Sequence, residues 1–236
     1  MKRNVLTSSL AILALTSVTL FSSCLKNDDN FEPEPKAGLF VLHAAPGIGG
    51  MDILLNNEDL TNGNALGYSY HGTISVDPND YNIAFVKPVG KDTVASAGDS
   101  LRDGHNYSAI LYDTGSAAKV MLFEDQFDQG QSGGSSFLRF LQLSPNDEAV
   151  SIHIDQDEFT SNRHFADNIA DGSKAKFNPI SAGQYNITAL NATGDTLGSI
   201  DGAKLATRGY YTLYLGGYKE ATVDSLKVDL NLVRSY

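Results

Sequence analysis

The sequence predicts an all-β protein built as two copies of one sandwich, and three observations predict it. Short segments rich in β-branched and aromatic residues recur about every ten residues. In the first half they cover residues 51–55, 73–76, 81–86, 107–112 and 119–123. Turn chemistry separates them at Asn56-Asn57, Asn62-Gly63, Asp77-Pro78, Asp103-Gly104 and Thr114-Gly115. No long amphipathic helix competes, residues 162–169 being the best short candidate.

The third observation is repetition. Leu39-Phe40-Val41-Leu42-His43-Ala44-Ala45-Pro46 is echoed by Leu138-Arg139-Phe140-Leu141-Gln142-Leu143-Ser144-Pro145, an offset of 99 residues. Tyr81-Asn82-Ile83 returns as Tyr185-Asn186-Ile187, and the tyrosine-bearing stretch at 106–111 as 210–215, both at an offset of 104. Five extra residues fit a longer loop within 155–171. A repeat of this length is one structural unit used twice, and many short strands in about 100 residues make a β-sandwich, immunoglobulin-like or transthyretin-like, the leading architecture. A small barrel stays open at this stage.

In chain order, Lys2 and Arg3 precede an apolar, Ser/Thr-diluted run that holds no acidic residue up to Phe21. That is the profile of a signal peptide at residues 1–23, too diluted for a membrane span of about 20 apolar residues. The run ends in Leu20-Phe21-Ser22-Ser23-Cys24, which resembles the lipobox of bacterial lipoproteins, with Phe21 where the pattern prefers Leu, Val or Ile. The resemblance implies that Cys24, the single cysteine, is acylated and becomes the first mature residue. Two or three acyl chains anchor stably where one binds marginally, each buried methylene contributing about 0.8 kcal/mol.

Residues 24–37 read as an acidic, proline-bearing tether. Asp28-Asp29 behind the cysteine is similar to the surface-export signal of lipoproteins in the Bacteroidetes, implying an outer-membrane lipoprotein exposed at the cell surface. Removing residues 1–23 takes away two of the 17 basic residues and none of the 28 acidic ones, so the formal charge moves from −11 to −13. Such a surface repels phosphate backbones and argues against nucleic acid.

The first copy spans 38–126, a Gly/Ser/Gln linker 127–136, and the second copy 137–236, the two expected to fold independently. Gly130-Gln131-Ser132-Gly133-Gly134 in the linker matches G-x-S-x-G. The nucleophile elbow, however, needs a strand before the serine and a helix after it, and a linker supplies neither. The stretch ending in His43-Ala44-Ala45-Pro46, the segment Met51-Asp52-Ile53, the turn from Pro78 to Tyr81 and the tyrosine-rich strand late in each copy resemble a bacterial domain of unknown function that often occurs in tandem on surface proteins. That resemblance implies a β-sandwich and an extracytoplasmic place, without an activity.

His43 is the most inviting site residue, yet its counterpart is Gln142, which has no ring lone pair for catalysis or metal binding. An N–H donor is common to both, which points to a structural hydrogen bond to a turn carbonyl near Asp52. His71, His105, His153 and His164 lack ligand spacing. The acidic runs Asp155-Gln156-Asp157-Glu158 and Glu124-Asp125 with Asp128 lack the glycine and terminal glutamate of a calcium loop and read as solvated. Without Trp, an aromatic platform for sugars would fall to Tyr68 and Tyr70 on one side of a strand. Asp-(Ser/Thr)-aliphatic triplets make Thr93, Ser100, Thr196 and Ser225 candidates for O-glycosylation, through their resemblance to the Bacteroidetes sequon. Together the expectation is a non-enzymatic envelope lipoprotein without cofactor or metal, held to the membrane through Cys24. It would act as a surface module for a protein or glycan partner, or as a glycan-binding accessory of a carbohydrate-uptake system.

Overall fold

A computed structural model describes residues 34–127, 133–145 and 148–236. Cys24, the signal segment, most of the tether, Asp128 and residues 130–132 of the linker lie outside the described residues. The first half contains β1 (Ala37–His43), β2 (Asp52–Leu55), β3 (Glu58–Asp59), β4 (His71–Val76), β5 (Asn79–Val86), β6 (Thr93–Leu101), β7 (Asn106–Tyr112) and β8 (Lys119–Glu124). They make two four-stranded sheets, ordered β4-β1-β7-β8 and β3-β2-β5-β6. The second half contains β9 (Ser135–Gln142), β10 (Val150–Ile154), β11 (Asp157–Arg163), β12 (Asn178–Ser181), β13 (Gly183–Asn191), β14 (Thr196–Leu205), β15 (Tyr210–Gly216) and β16 (Asp229–Arg234). Its sheets run β12-β9-β15-β16 and β11-β10-β13-β14, the first half's orders with every strand number raised by eight.

The protein is therefore an all-β sandwich fold. In the immunoglobulin sandwich the first two strands share a sheet. Here β1 and β2 lie in opposite sheets, so the strand order leaves the transthyretin-like alternative.

Register reproduces the sequence offsets. In the parallel pairs, Leu39 lies opposite Tyr107 and Leu138 opposite Tyr211. The offset is still 99 where Glu58 and Asp157 pair with Leu55 and Ile154. It is 104 where Ile74 and Asn178 pair with Leu39 and Leu138. The extra residues thus enter between the start of β11 and β12, a stretch that holds the short helix α1 (Asp167–Ala170). The longer helix expected over 162–169 does not form, because Asn162 and Ala166 take left-handed backbone angles, φ 52° and 50°.

The burial of β1 explains its unbroken apolar run. Leu39 and Val41 face the core of the first half, while Phe40 and Leu42 face a third core shared with Leu141, Leu143, Tyr214 and Val233 of the second half. A strand covered on both faces has no polar side to alternate. The inner sheets of the two halves meet face to face, with an outer sheet behind each. The copies consequently share a core, and residues 35–236 form one compact unit, an arrangement that the expectation of two independently folding copies did not include.

A fully buried ion pair sits in the shared core. Arg139 Nη1 donates to Asp125 Oδ1 at 2.6 Å, Nη2 to Ser108 Oγ at 2.8 Å, and Nε to Thr212 Oγ1 at 2.8 Å. The guanidinium lies 4.4 Å from the Phe177 ring centre and 5.3 Å from that of Phe123. Asp125 also accepts from Ser108 and, at 2.7 Å, from the Tyr236 phenol. Burial, then the Asp125 charge, drives the Tyr236 phenol far above its usual pKa. The reading of Glu124-Asp125 as a solvated cluster is thereby corrected, since Asp125 is a buried partner and Glu124 bonds to Arg102 and His105.

Candidate functional site

The directions of the strands sort the loops into two ends. β1, β7, β9 and β15 all finish at one end, called here the loop end, and the returning strands start from it. The halves share that end: the Tyr112 and Phe165 rings lie 5.9 Å apart across it, and the Tyr68 hydroxyl abuts Gly216. The chain enters β1 at the opposite end, where Lys36 N–H donates to Asp103 at 2.8 Å and Lys36 carbonyl accepts from Gly104.

His43 closes β1 at the loop end and is fully buried. Its Nε2 lies 2.7 Å from the Gly49 carbonyl and its Nδ1 accepts from Ala45 N–H at 3.3 Å, which fixes a neutral ring protonated on Nε2. Gly49 takes φ +80°, a turn conformation open to glycine. Gln142 Oε1 accepts from Ser144 N–H at 2.9 Å. The shared task is to accept the N–H two residues on. The donor, which the sequence suggested as the common property, is used by His43 alone, and Gln142 Nε2 is buried without a partner.

Burial lowers the His43 pKa below 6.5, so the folded state binds fewer protons than the unfolded one. Stability from this group is then fully present above about pH 6.5, the unfolded value, and is lost progressively as the pH falls from there through the lowered folded value. His71, lowered by burial as well, adds a slope of the same sign. His43→Gln, which copies the second half, should fold and show a smaller loss of melting temperature between about pH 7.5 and 5.5 than the wild type. An unchanged loss would contradict the buried neutral ring.

Two equivalent cavities open at the loop end. One, of 400 Å³, lies between the β1–β2 loop, the start of β6 and the β7–β8 loop, and includes Ile48, Lys87, Asp92, Thr93, Val94 and Ser116. The other, of 300 Å³, includes Glu148, Asn191, Thr196, Leu197, Lys219 and Val228. Lys87 and Asn191 differ by the repeat offset of 104. Thr93 and Thr196 open β6 and β14 from matching rungs, opposite Val86 and Leu190. Glu148 is held by Lys219 at 3.0 Å and Lys227, also at this cavity, pairs with Asp224 at 2.7 Å.

The large apolar side chains most exposed among the described residues are Tyr70 at 68%, Val89 at 88%, Ile169 at 57% and Val223 at 54%. All four belong to connections at this same end. A groove of 680 Å³ between the edges of β6 and β8 is rimmed by Ile169. The second half has no room there, because a Cβ on Gly198 would come 2.6 Å from Leu230 N.

Other expected sites are placed as follows. Tyr68 and Tyr70 lie in a turn before β4, not on a strand. Tyr68 turns in beside His43, with a pKa raised by burial, while Tyr70 points out, so they form no common platform. Asp155, at φ 54°, accepts from Asn186 N–H as Asn56 does from Asn82 N–H, which makes it a turn residue. Asp52 is buried against Lys91 at 2.5 Å. Thr93, Ser100, Thr196 and Ser225 are all exposed. Among the described residues no group of three or more His, Cys, Asp or Glu could hold a metal ion.

Residues 37–153 match a family model described as a domain of unknown function (DUF4397), from β1 into β10. No curated protein matches the chain. Solved structures with some likeness include a streptococcal virulence factor that binds alpha-glucan, 13% identical over 74% of this chain and 92% of that one at a TM-score of 0.24. The Bacillus anthracis TIE protein is 10% identical, covering 85% of this chain and 44% of the other at a TM-score of 0.25. Likenesses this low decide neither ligand nor partner.

Proposed function

We propose that this protein is a non-enzymatic envelope lipoprotein made of two copies of one sandwich, anchored through Cys24 and binding its partner with the loop end. The observation that carries the reading is polarity along the strands. Both cavities and all four exposed large apolar residues gather at the end opposite to the entrance of the chain into β1. Clustered exposed apolar residues mark interaction surfaces, and loops carried by rigid sheets are where binding residues concentrate. The side chains best suited to chemistry are instead occupied in holding backbone, His43 at Gly49 and Ala45 and Asp155 at Asn186.

Envelopes from the native cell should bind the unlipidated Cys24→Ser chain saturably. Tyr70→Ser with Val223→Ser should lower that affinity at least about tenfold, whereas Arg208→Ala at the opposite end should leave it unchanged. Equal binding by both variants would remove the loop end from the function. In the same cells an alkyne fatty acid should label the wild type, and label on Cys24→Ser would remove the anchor. Glycans on Thr93 or Thr196 are a competing use of the cavity mouths, visible as added intact mass in protein from the native envelope.

A further inference from the structure

We infer that the two loop-end cavities are paired binding sites for a neutral polyhydroxylated ligand, one sugar-like ring in each, so that one oligosaccharide or polymer engages the protein twice. The inference rests on the binding-module reading and assigns its ligand class.

Recurrence comes first. The cavities are built at matching places of the two halves, from the same loops and the same first residue of β6 and β14, although the side chains around them have diverged. Lys87 stands where the other half has Asn191, and Val94 where it has Leu197. What survives the divergence is a chemical pattern. Half-buried aliphatic groups, Ile48 and Val94 in one and Leu197 and Val228 in the other, lie beside an exposed threonine hydroxyl and a side-chain N–H donor. Aliphatic surface beside a few convergent polar groups is the usual make-up of a small-molecule site, and both volumes fall at the small end of the range of about 300–1,000 Å³.

Charge narrows the class. The first cavity contains one lysine and one aspartate, Lys87 and Asp92. In the second, Lys219 is neutralised by Glu148 and Lys227 by Asp224. Neither cavity therefore presents an excess of one sign that would favour a ligand carrying net charge. A ring with C–H faces and O–H edges, by contrast, can cover the aliphatic groups while exchanging hydrogen bonds with threonine, amide, ammonium and carboxylate. Each small site alone would bind weakly, but two sites on one rigid unit raise the effective concentration of the second contact, a gain of about 10²–10⁴ in avidity when the ligand spans both.

The test titrates the Cys24→Ser chain with maltoheptaose, cellohexaose, mannohexaose and xylohexaose, and with the polymer of whichever binds. At least one should bind saturably below about 10 mM, and its polymer more tightly. Lys87→Ala with Thr93→Val, or Lys219→Ala with Thr196→Val, should each cost at least about tenfold for the polymer, while Asn191, whose side chain holds the turn to Asp195, is left in place. All four substitutions together should abolish binding while the melting temperature stays within a few degrees. Binding that survives the fourfold variant, or no binding by any of the four sugars, overturns the inference. Envelope binding that still depends on Tyr70 and Val223 in that event leaves the module reading standing, so the two fail separately.

Discussion

Replacing Arg139 by Met should cost about 3–5 kcal/mol of stability, because it leaves the Asp125 carboxylate buried without its counter-charge. Both side chains are fully buried. Asp125 would keep only the Ser108 hydroxyl and the Tyr236 phenol, which cannot offset a charge away from water. For a chain of this size the melting temperature should fall by roughly 6–20 °C. Adding Asp125→Asn to Arg139→Met should recover much of the loss, because an amide keeps the hydrogen-bonding shape without the charge. Urea unfolding of the single and double variants measures this directly. A cost below about 1 kcal/mol for Arg139→Met would mean that water reaches the pair.

The second large effect concerns separation of the halves. Residues 34–127 made alone should aggregate or stay unfolded, since they would present Phe40, Leu42, Ile110, Tyr112 and Met121 to water, side chains that now pack against the second half. Each such side chain is worth about 1.5–3 kcal/mol when fully buried, and an apolar sheet face of this kind invites association. A protease site placed at 128–132 and cut should leave two fragments that migrate together and unfold in one transition. Two separate transitions, or a monodisperse folded fragment, would show that the shared core is not needed.

Much of this architecture is legible in the sequence because it depends on local rules. Asn56-Asn57 and Asn62-Gly63 announce turns, and both pairs take positive φ throughout. The offsets of 99 and 104 emerge as strand register to the residue. What escaped depends on distant partners. β6, Thr-Val-Ala-Ser-Ala-Gly-Asp-Ser-Leu, and its counterpart β14 are small and polar because each is an edge strand with much of its length in water. Composition that suits an edge looks like loop. The shared core escaped for the opposite reason. Its inner faces use the same apolar residues as any sandwich interior, and one clue, a lone arginine at 139 amid Leu138, Phe140 and Leu141, makes sense only when Asp125 comes into view from the other half. The cavities escaped because no motif marks them, although the Asp-(Ser/Thr)-aliphatic triplets had drawn notice to Thr93 and Thr196.

That arginine also sets the valence of the assembly. Arg139 stands on the rung that Phe40 occupies in the first half, Phe40 lying opposite Ser108 and Arg139 opposite Thr212. The Asp125 carboxylate therefore has a guanidinium to meet only when a first half faces a second. Two first halves pressed together would bury two carboxylates against phenylalanine, and two second halves would bury two arginines with no acid between them. Like faces are mutually repellent and unlike faces saturate each other inside one chain, so this surface is self-quenched. Neighbouring molecules therefore have no exchangeable half to offer one another, and this surface cannot join copies of the chain without first opening the shared core.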